Sequence, residues 1–527
     1  MENYIDNIII GAGPAGLQLG YFFKKYNIEY VILEKNNSCG SFFNNYPHSK
    51  KLISINKVNT GSNNKEFNLR HDWNSLLNDE GHLFKEYSNK FYPDSRLLYK
   101  YLNDFNIKNK LNIIFNTNII SILKYNKYNY KIIDESNNIY YCNKLIIATG
   151  LSLPQLPNII VNCDKKIYHY GEFPNGYFLD EKNLNKYTNK KLLIVGGGNS
   201  AYEIANLLND YCSNILIHGS EKEYSLTSHY AGDLRSIYYP FLDSFYLKSL
   251  NAIDNVEKDN LFIVQSNKKD DINKNKYVLY HKDEEITKYY DSNDKHNYWD
   301  EIIICTGWKF NFDLFKFPIE KNNKYPNIKS NYESTNNKNL YFIGALMHSL
   351  DYKKSSGGFI HGFRYLIKLF CEINYNIAFK INKFLFNKDG LLKLTKHVMY
   401  KINITSGLYQ MFGTMCDLFF IDNNNNIIYI NDLTKDYVLD NFKYLNKIYL
   451  IQLNYGNKVY DLRELGGFDQ LDPKFLHLQI LIYENINNNF IQKDKVRFEE
   501  DLFADFTSKE DFNNIYKILK HKLNIFV

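Results

Sequence analysis

The sequence predicts an α/β protein in which one parallel-sheet domain is inserted within another, with an α+β extension following at the C-terminus. The first part rests on a strand, glycine turn, helix and strand near the N-terminus, and on the recurrence of that pattern at residue 196. The extension rests on the loss of such turns beyond about residue 376, where mixed amphipathic segments take over.

Taken in order, the apolar run 4–10 predicts a buried strand, residues 11–16 a turn, 17–26 a helix and 30–33 a second strand. Later, 192–195, 196–198, 200–210 and 215–218 repeat the series. Two further buried strands, 145–150 and 302–307, end in Ala-Thr-Gly and Cys-Thr-Gly, and each is expected to close a sheet near a bound cofactor. Asn- and Lys-rich stretches at 254–299 and 319–338 read as loops or hairpins. The segments 419–430 and 475–483 read as parts of the extension. The expected organisation is an outer domain of 1–160 and 311–375, an inserted domain of 161–310, and an extension of 376–527.

At 527 residues, the chain exceeds what one core ordinarily spans. Its 64 basic and 58 acidic side chains leave a net charge of +6, too even to argue for nucleic acid or an anionic membrane. Cysteines at 39, 142, 163, 212, 305, 371 and 416 are odd in number and scattered, which predicts a reducing compartment and no metal site. The N-terminal apolar run lacks a basic flank and merges into a glycine turn, so it reads as a strand and not a signal peptide. No apolar stretch approaches the roughly 20 residues that span a bilayer, so a soluble, cytoplasmic protein without membrane insertion is expected.

The turn Gly11-Ala12-Gly13-Pro14-Ala15-Gly16 has the spacing that cradles a dinucleotide pyrophosphate. Gly11 permits the tight bend, Gly13 lets backbone amides approach the phosphates, and Gly16 allows close packing of helix on strand. Glu34, at the end of the next strand, is placed to accept hydrogen bonds from an adenosine ribose, with Lys35 beside it. The N-terminal position assigns FAD to this Rossmann-like unit. The second turn, Gly196-Gly197-Gly198-Asn199-Ser200-Ala201, is assigned a nicotinamide dinucleotide. Its following strand ends at His218, Gly219 and Ser220 without a carboxylate, which favours NADPH over NADH, with Lys222 or Arg235 as partners for the 2′-phosphate. Thr149, Gly150, Thr306, Gly307 and Gly344 complete the candidate cofactor contacts. A redox pair of the C-x-x-x-x-C type would need cysteine at position 44, which is Asn44, so Cys39 reads as a buried small residue.

Together with the Gly40-Ser41-Phe42 turn and Pro154 and Pro157 after the Ala-Thr-Gly strand, these motifs resemble the flavin-containing monooxygenase group of two-dinucleotide-binding flavoproteins. Longer runs at 51–57 (K-L-I-S-I-N-K), 67–77, 228–235, 354–365 and 406–412 resemble one luminal subgroup of that family from the N-terminus into the extension. The resemblance implies FAD and NADPH or NADH as cofactors, Ser41 and Phe42 among the flavin contacts, and Asn56, Lys57 and His348 as catalytic candidates. It places Ser54 beside the first two of these and Gly358 on the segment that faces them.

It further implies hydride transfer from NAD(P)H to the flavin and then to oxygen or another acceptor. Two alternatives stay open: an adaptor flavoprotein in the degradation of misfolded glycoproteins in the endoplasmic reticulum, and a thiol-disulfide reductase. The subgroup's luminal residence is set against the absence here of a signal peptide and of a retention tail at Phe526-Val527. The substrate, a small molecule or a protein thiol, is not named by the sequence, and the extension is the candidate surface for a protein partner. Arg70, His71, Asp72 and Trp73 are expected to form a buried polar network bracing a domain interface.

Overall fold

The computed structural model describes residues 3–157, 160–161, 167–219, 230–247, 251–255, 261–265, 277–281, 298–322, 324–455, 476–498 and 506–525. Ile8, Ile9 and Ile10 are buried, so the strand Asn7–Ile10 has no solvent face, as befits the centre of a parallel sheet covered on both sides. It pairs in parallel with Val31–Leu33 on one side and Lys144–Ile147 on the other. Ile113–Ile114 and Leu340–Phe342 complete the five strands at the two edges.

Lys144–Ile147 and Leu340–Phe342 are neighbours in this sheet although the whole second unit separates them in sequence. Between them the chain leaves to build another five-stranded parallel sheet, in the order Tyr168–His169, Glu301–Ile304, Lys191–Val195, Asn214–Gly219, Ala252–Asn255. The outgoing and returning connections run side by side, Leu153–Pro154 pairing antiparallel with Trp308–Lys309. The insertion read from the sequence is thus visible as two strands that bond across it.

The run 4–10 is not one strand. Asn3–Tyr4 pairs in parallel with Ile139–Cys142, at the edge of a sheet whose other strands, Asn129–Asp134 and Ile119–Tyr125, run antiparallel, and only Asn7–Ile10 enters the central sheet. Asp6 makes the break, its carboxylate accepting bonds from Tyr4, Asn7 and Asn143 while its carbonyl takes the amides of Asn143 and Lys144.

The extension is a six-stranded antiparallel sheet ordered Ile381–Leu385, Asn426–Thr434, Met415–Ile421, Lys447–Asn454, His477–Ile486, Asn489–Arg497. The segment 419–430 therefore spans two strands, turned by Asp422, whose carboxylate accepts the amides of Asn424 at 2.9 Å and Asn426 at 2.8 Å. The helix Ile360–Asn374 lies between this sheet and the helix Pro14–Lys25 of the outer domain, which is why it is buried on nearly every side. One apolar core runs from Ile8 through Leu366 and Phe370 to Met411, Phe419 and Tyr449. Among the described residues, no helix is long and apolar enough to cross a membrane.

Candidate functional site

Gly11 sits at φ +105°, a backbone that favours glycine, and an added Cβ would stand 3.0 Å from the Ala148 carbonyl oxygen. Gly16 is tighter still, since its Cβ would fall 1.9 Å from the Gly11 oxygen. Gly13 differs: its Cβ would meet nothing within 4 Å. This residue caps the helix Pro14–Lys25, whose N-terminus has no side-chain cap. Uncapped amides behind an open glycine make a ready anion cradle, and these residues fit a dinucleotide pyrophosphate.

Glu34 lies at the rim and is buried. Its Oε2 accepts the Ala12 amide at 2.7 Å, and its Oε1 accepts the amide and side-chain nitrogen of Asn36 at 2.9 and 2.8 Å. Asn36 also donates to Ser41 Oγ at 2.7 Å, tying the 41–42 turn to the same network. The carboxylate thus shapes the glycine turn while keeping lone pairs for a ribose hydroxyl. Lys35 is exposed, and Phe42, 48% exposed, stands edge-on to Trp308 of the returning connection. Gly344, at φ +70°, lets its turn rest on Ala15, where a Cβ would approach that residue's Cβ to 2.4 Å.

The second turn is built the same way. The Gly11 amide bonds the Leu33 oxygen and the Gly196 amide bonds the His218 oxygen; the Ala148 amide bonds Ile10 and the Cys305 amide bonds Val195. Gly196, at φ +120°, faces the Cys305 carbonyl with only 2.4 Å to spare for a Cβ, and Gly198 opens onto space as Gly13 does. Gly150 and Gly307, which end the two Thr-Gly strands, both take positive φ. Thr306 donates to the Gln155 carbonyl across the paired connections, while Thr149 and Ser200 stand at the ends of their strand and turn.

Where the first site has Glu34, the second has Gly219, and a Cβ there would lie 2.5 Å from the Gly197 nitrogen. No side chain fits at that point, so the missing carboxylate is a packing requirement. Asn199 is turned away from the open side, donating to the carbonyls of Gly232 and Asp233 and accepting the Arg235 amide. Arg235 lays its guanidinium over Trp73, 5.1 Å from the ring centroid, and Lys222 lies outside the described residues.

Among the described residues, no hydrogen bond joins the catalytic candidates to one another. Asn56 is buried and spends its side-chain nitrogen on the carbonyls of Ser88 and Lys90, whereas Lys57 is exposed. Ser54 bonds Asn74. His348 is buried at the junction of the two domains and forms a group that sequence reasoning missed: its Nδ1 lies 2.8 Å from Asp351 Oδ1 and its Nε2 lies 2.8 Å from the hydroxyl of Tyr230, on the inserted domain. The i, i+3 spacing of His348 and Asp351 was the available signal; nothing in the sequence points to Tyr230 as their partner. A cleft of about 960 Å³ reaches Ser349 and Leu350 beside this group, walled by Tyr325 and Tyr352.

The 70–73 network divides between two seams. Arg70 is buried and donates from Nε to the Thr405 carbonyl at 2.8 Å and from Nη2 to the Ile402 carbonyl at 2.5 Å, holding the extension. Trp73 stacks on His361 at 4.2 Å, on the side of the inserted domain. Burial pushes the Arg70 guanidinium down to about 10 and drives the His361 imidazole well below its usual range, with Arg364 and Arg235 adding to the second effect. Cys39 is wholly buried, and burial, followed by Glu34, pushes its thiol up to about 12. Burial raises Cys305 as well, so neither is disposed to act as a thiolate.

Two parallel sheets, one threaded through the other and each closed on an uncapped glycine turn, define the fold of a flavoprotein oxidoreductase built from two Rossmann-like domains. The chain belongs to the pyridine nucleotide-disulphide oxidoreductase family, which it matches over residues 8–344, from the central strand of the outer sheet to the turn on Ala15. It is similar to FAD-dependent oxidoreductase domain-containing protein 2 of Mus musculus, 34% identical over 444 residues that cover 80% of this chain and 65% of that protein. The Danio rerio protein of the same name is 31% identical over 461 residues, covering 79% and 65%. The chain therefore spans 65% of the length of these relatives. In fold it is similar to a flavin-containing monooxygenase from Stenotrophomonas maltophilia, with a TM-score of 0.50 at 16% identity over 72% of this chain and 100% of that one.

Proposed function

We propose that the chain is an FAD-dependent NAD(P)H oxidoreductase of the flavin monooxygenase type, with FAD at the turn 11–16 and the nicotinamide nucleotide at the turn 196–201. The observation that carries this reading is the duplicated cradle: an open glycine before an uncapped helix, in two sheets threaded together. FAD, when bound, would supply two-electron chemistry between NAD(P)H and oxygen or another acceptor. The chain's own part is to bind and orient. Gly13 and Gly198 would leave room for the pyrophosphates, Glu34 fixes the first turn and would offer its remaining lone pairs to a ribose hydroxyl, and Leu153–Pro154 pairs with Trp308–Lys309 where the chain passes between the two domains.

The balance is NAD(P)H + H⁺ + acceptor giving NAD(P)⁺ + reduced acceptor, so one proton per turnover must come from solvent. NADPH is preferred in this proposal because the second site carries Gly219 where the first has an acid. A cytoplasmic location is carried with it, tested by fractionating cells that express the tagged chain.

The purified protein should be yellow, and its flavin absorbance should bleach under anaerobic addition of NADPH, more slowly with NADH. The adaptor reading instead requires FAD that neither nicotinamide reduces. A holoprotein inert to both would overturn the enzyme assignment.

A further inference from the structure

We propose that Asp351, His348 and Tyr230 form a proton relay at the junction of the two dinucleotide domains, in which Tyr230 exchanges the proton and the other two are positioning residues. This rests on the oxidoreductase reading above and supplies the solvent proton that its balance requires.

The geometry defines a direction. A carboxylate only accepts, so Asp351 fixes the hydrogen of His348 on Nδ1 and leaves Nε2 to exchange a proton with its other neighbour. That nitrogen lies 2.8 Å from the Tyr230 hydroxyl, with the planes of the two rings 4° apart. Burial, with Tyr325, Tyr352, Asp351 and Asp233 adding to it, raises the Tyr230 hydroxyl above its ordinary range, so at neutral pH it is a donor.

The chain is built around these contacts. A Cβ on Gly357 would strike Asp351 Oδ1 at 2.4 Å, and one on Gly358 would strike His348 Cγ at 2.8 Å, so both glycines are needed to seat the pair. The Gly357 amide donates to Asp351 Oδ2 at 2.7 Å and sets the carboxylate's orientation. On the other side, Asn199 opens the helix of the second cradle and holds the carbonyls of Gly232 and Asp233, in the loop that presents Tyr230. The position of Tyr230 is thereby tied to the nucleotide site of the inserted domain.

In the step, the Tyr230 O–H bond breaks as its proton passes to the acceptor taking up two electrons. The Nε2–H bond of protonated His348 breaks as the Tyr230 O–H bond reforms, and Nε2 takes its next proton from solvent; a cleft lined by Tyr325, Tyr352 and Ser349, the next residue in the chain, lies nearby. The titratable and charged groups around the relay are Tyr325 and Tyr352 against His348, Lys324 over both of those rings, Lys353 over Tyr352, and Asp233 near Tyr230; His361 lies behind Phe359.

The test uses holoprotein whose flavin is photoreduced without nicotinamide, then mixed in a stopped-flow with menadione or with ferricyanide across a pH series in H₂O and D₂O. Menadione takes electrons and protons, whereas ferricyanide takes electrons alone. Tyr230→Phe should slow reoxidation by menadione about a hundredfold, abolish its solvent isotope effect, and leave the ferricyanide rate and FAD content unchanged. His348→Gly should slow reoxidation by menadione and recover rate with added imidazole. Equal slowing with both acceptors, or a Tyr230→Phe protein with wild-type menadione kinetics, would overturn the relay. Because no nicotinamide is used, these results are separate from failure of NADPH to bleach the flavin, which bears on the enzyme reading alone.

Discussion

Replacing Gly13 by alanine separates folding from cofactor binding. This residue has φ −74° and ψ −177°, ordinary extended backbone that alanine adopts freely, and its Cβ would meet nothing within 4 Å. The variant should therefore unfold within about 0.5 kcal/mol of the parent, or slightly later through the lower entropy of its unfolded chain. With FAD bound, the same methyl occupies space the pyrophosphate needs for close approach. Overpacking of that kind costs about 1–3 kcal/mol, which at roughly 1.4 kcal/mol per tenfold is a dissociation constant raised about 5- to 150-fold. Gly16→Ala is the contrast: its Cβ falls 1.9 Å from a backbone oxygen that must retreat by roughly an ångström, so loss of both fold stability and flavin is expected. Thermal unfolding of apoprotein, and titration with FAD followed by quenching of flavin fluorescence, read the two effects apart. Wild-type FAD affinity in Gly13→Ala would refute the placement of the phosphates.

Two further outcomes follow from buried charges. Burial pushes the imidazoles of His48 and His397 down to about 4 and lowers His71, His82, His169 and His361 as well. Unfolded histidines protonate near pH 6.5, so below that pH the unfolded state holds more protons, and stability should fall as pH drops from about 6.5 towards 4. Urea unfolding at a series of pH values checks this, and a flat profile between pH 6.5 and 5 would count against it. Arg70→Met keeps the buried stem but strands the carbonyls of Ile402 and Thr405 at the end of the helix Lys388–Ile404. Each stranded carbonyl costs about 1–3 kcal/mol, partly offset by no longer burying a charge, so a net loss of roughly 2 kcal/mol is expected in urea unfolding. A stabilised variant would show that burial of the guanidinium outweighs its bonds.

What could be read from the sequence is what depends on neighbours along the chain. The glycine spacings at 11–16 and 196–198 and the Thr-Gly ends at 149–150 and 306–307 are local consequences of bringing backbone close to backbone, and each is where the reading put it. The insertion was legible for the same reason, because a repeated unit interrupts an earlier one. The break at Asp6 was hidden, since the short polar step Asp6-Asn7 inside an otherwise apolar run does not announce that its two halves join different sheets. The strand order of the extension was out of reach because antiparallel register depends on pairings far apart in sequence. Tyr230 and His348 meet only because the inserted domain folds back on the outer one, and no spacing encodes that.

The contacts across that fold explain why the junction is held in a single arrangement. Glu203, buried in the inserted domain, accepts the Ser49 amide and the Tyr170 hydroxyl, each at 2.7 Å. Burial raises its carboxyl, so parting the domains at this point would leave a desolvated acid short of a donor. The adjoining residues act in the same direction: the Tyr46 hydroxyl donates to the Gly171 carbonyl at 2.5 Å, and Lys50 Nζ donates to Asn175 at 2.6 Å. The inserted domain is touched from several separate stretches of the outer domain, among them 46–50, His348, Trp73 under Arg235, Phe42 against Trp308 and Tyr92 bonded to Ser236. A plane of contact resting on buried, directional bonds resists sliding more than an apolar face of equal size, because each bond is lost outright within about an ångström of displacement. The junction between the nucleotide cradles is therefore set by polar geometry, and the same restraint that aligns the cradles brings Tyr230 within reach of His348.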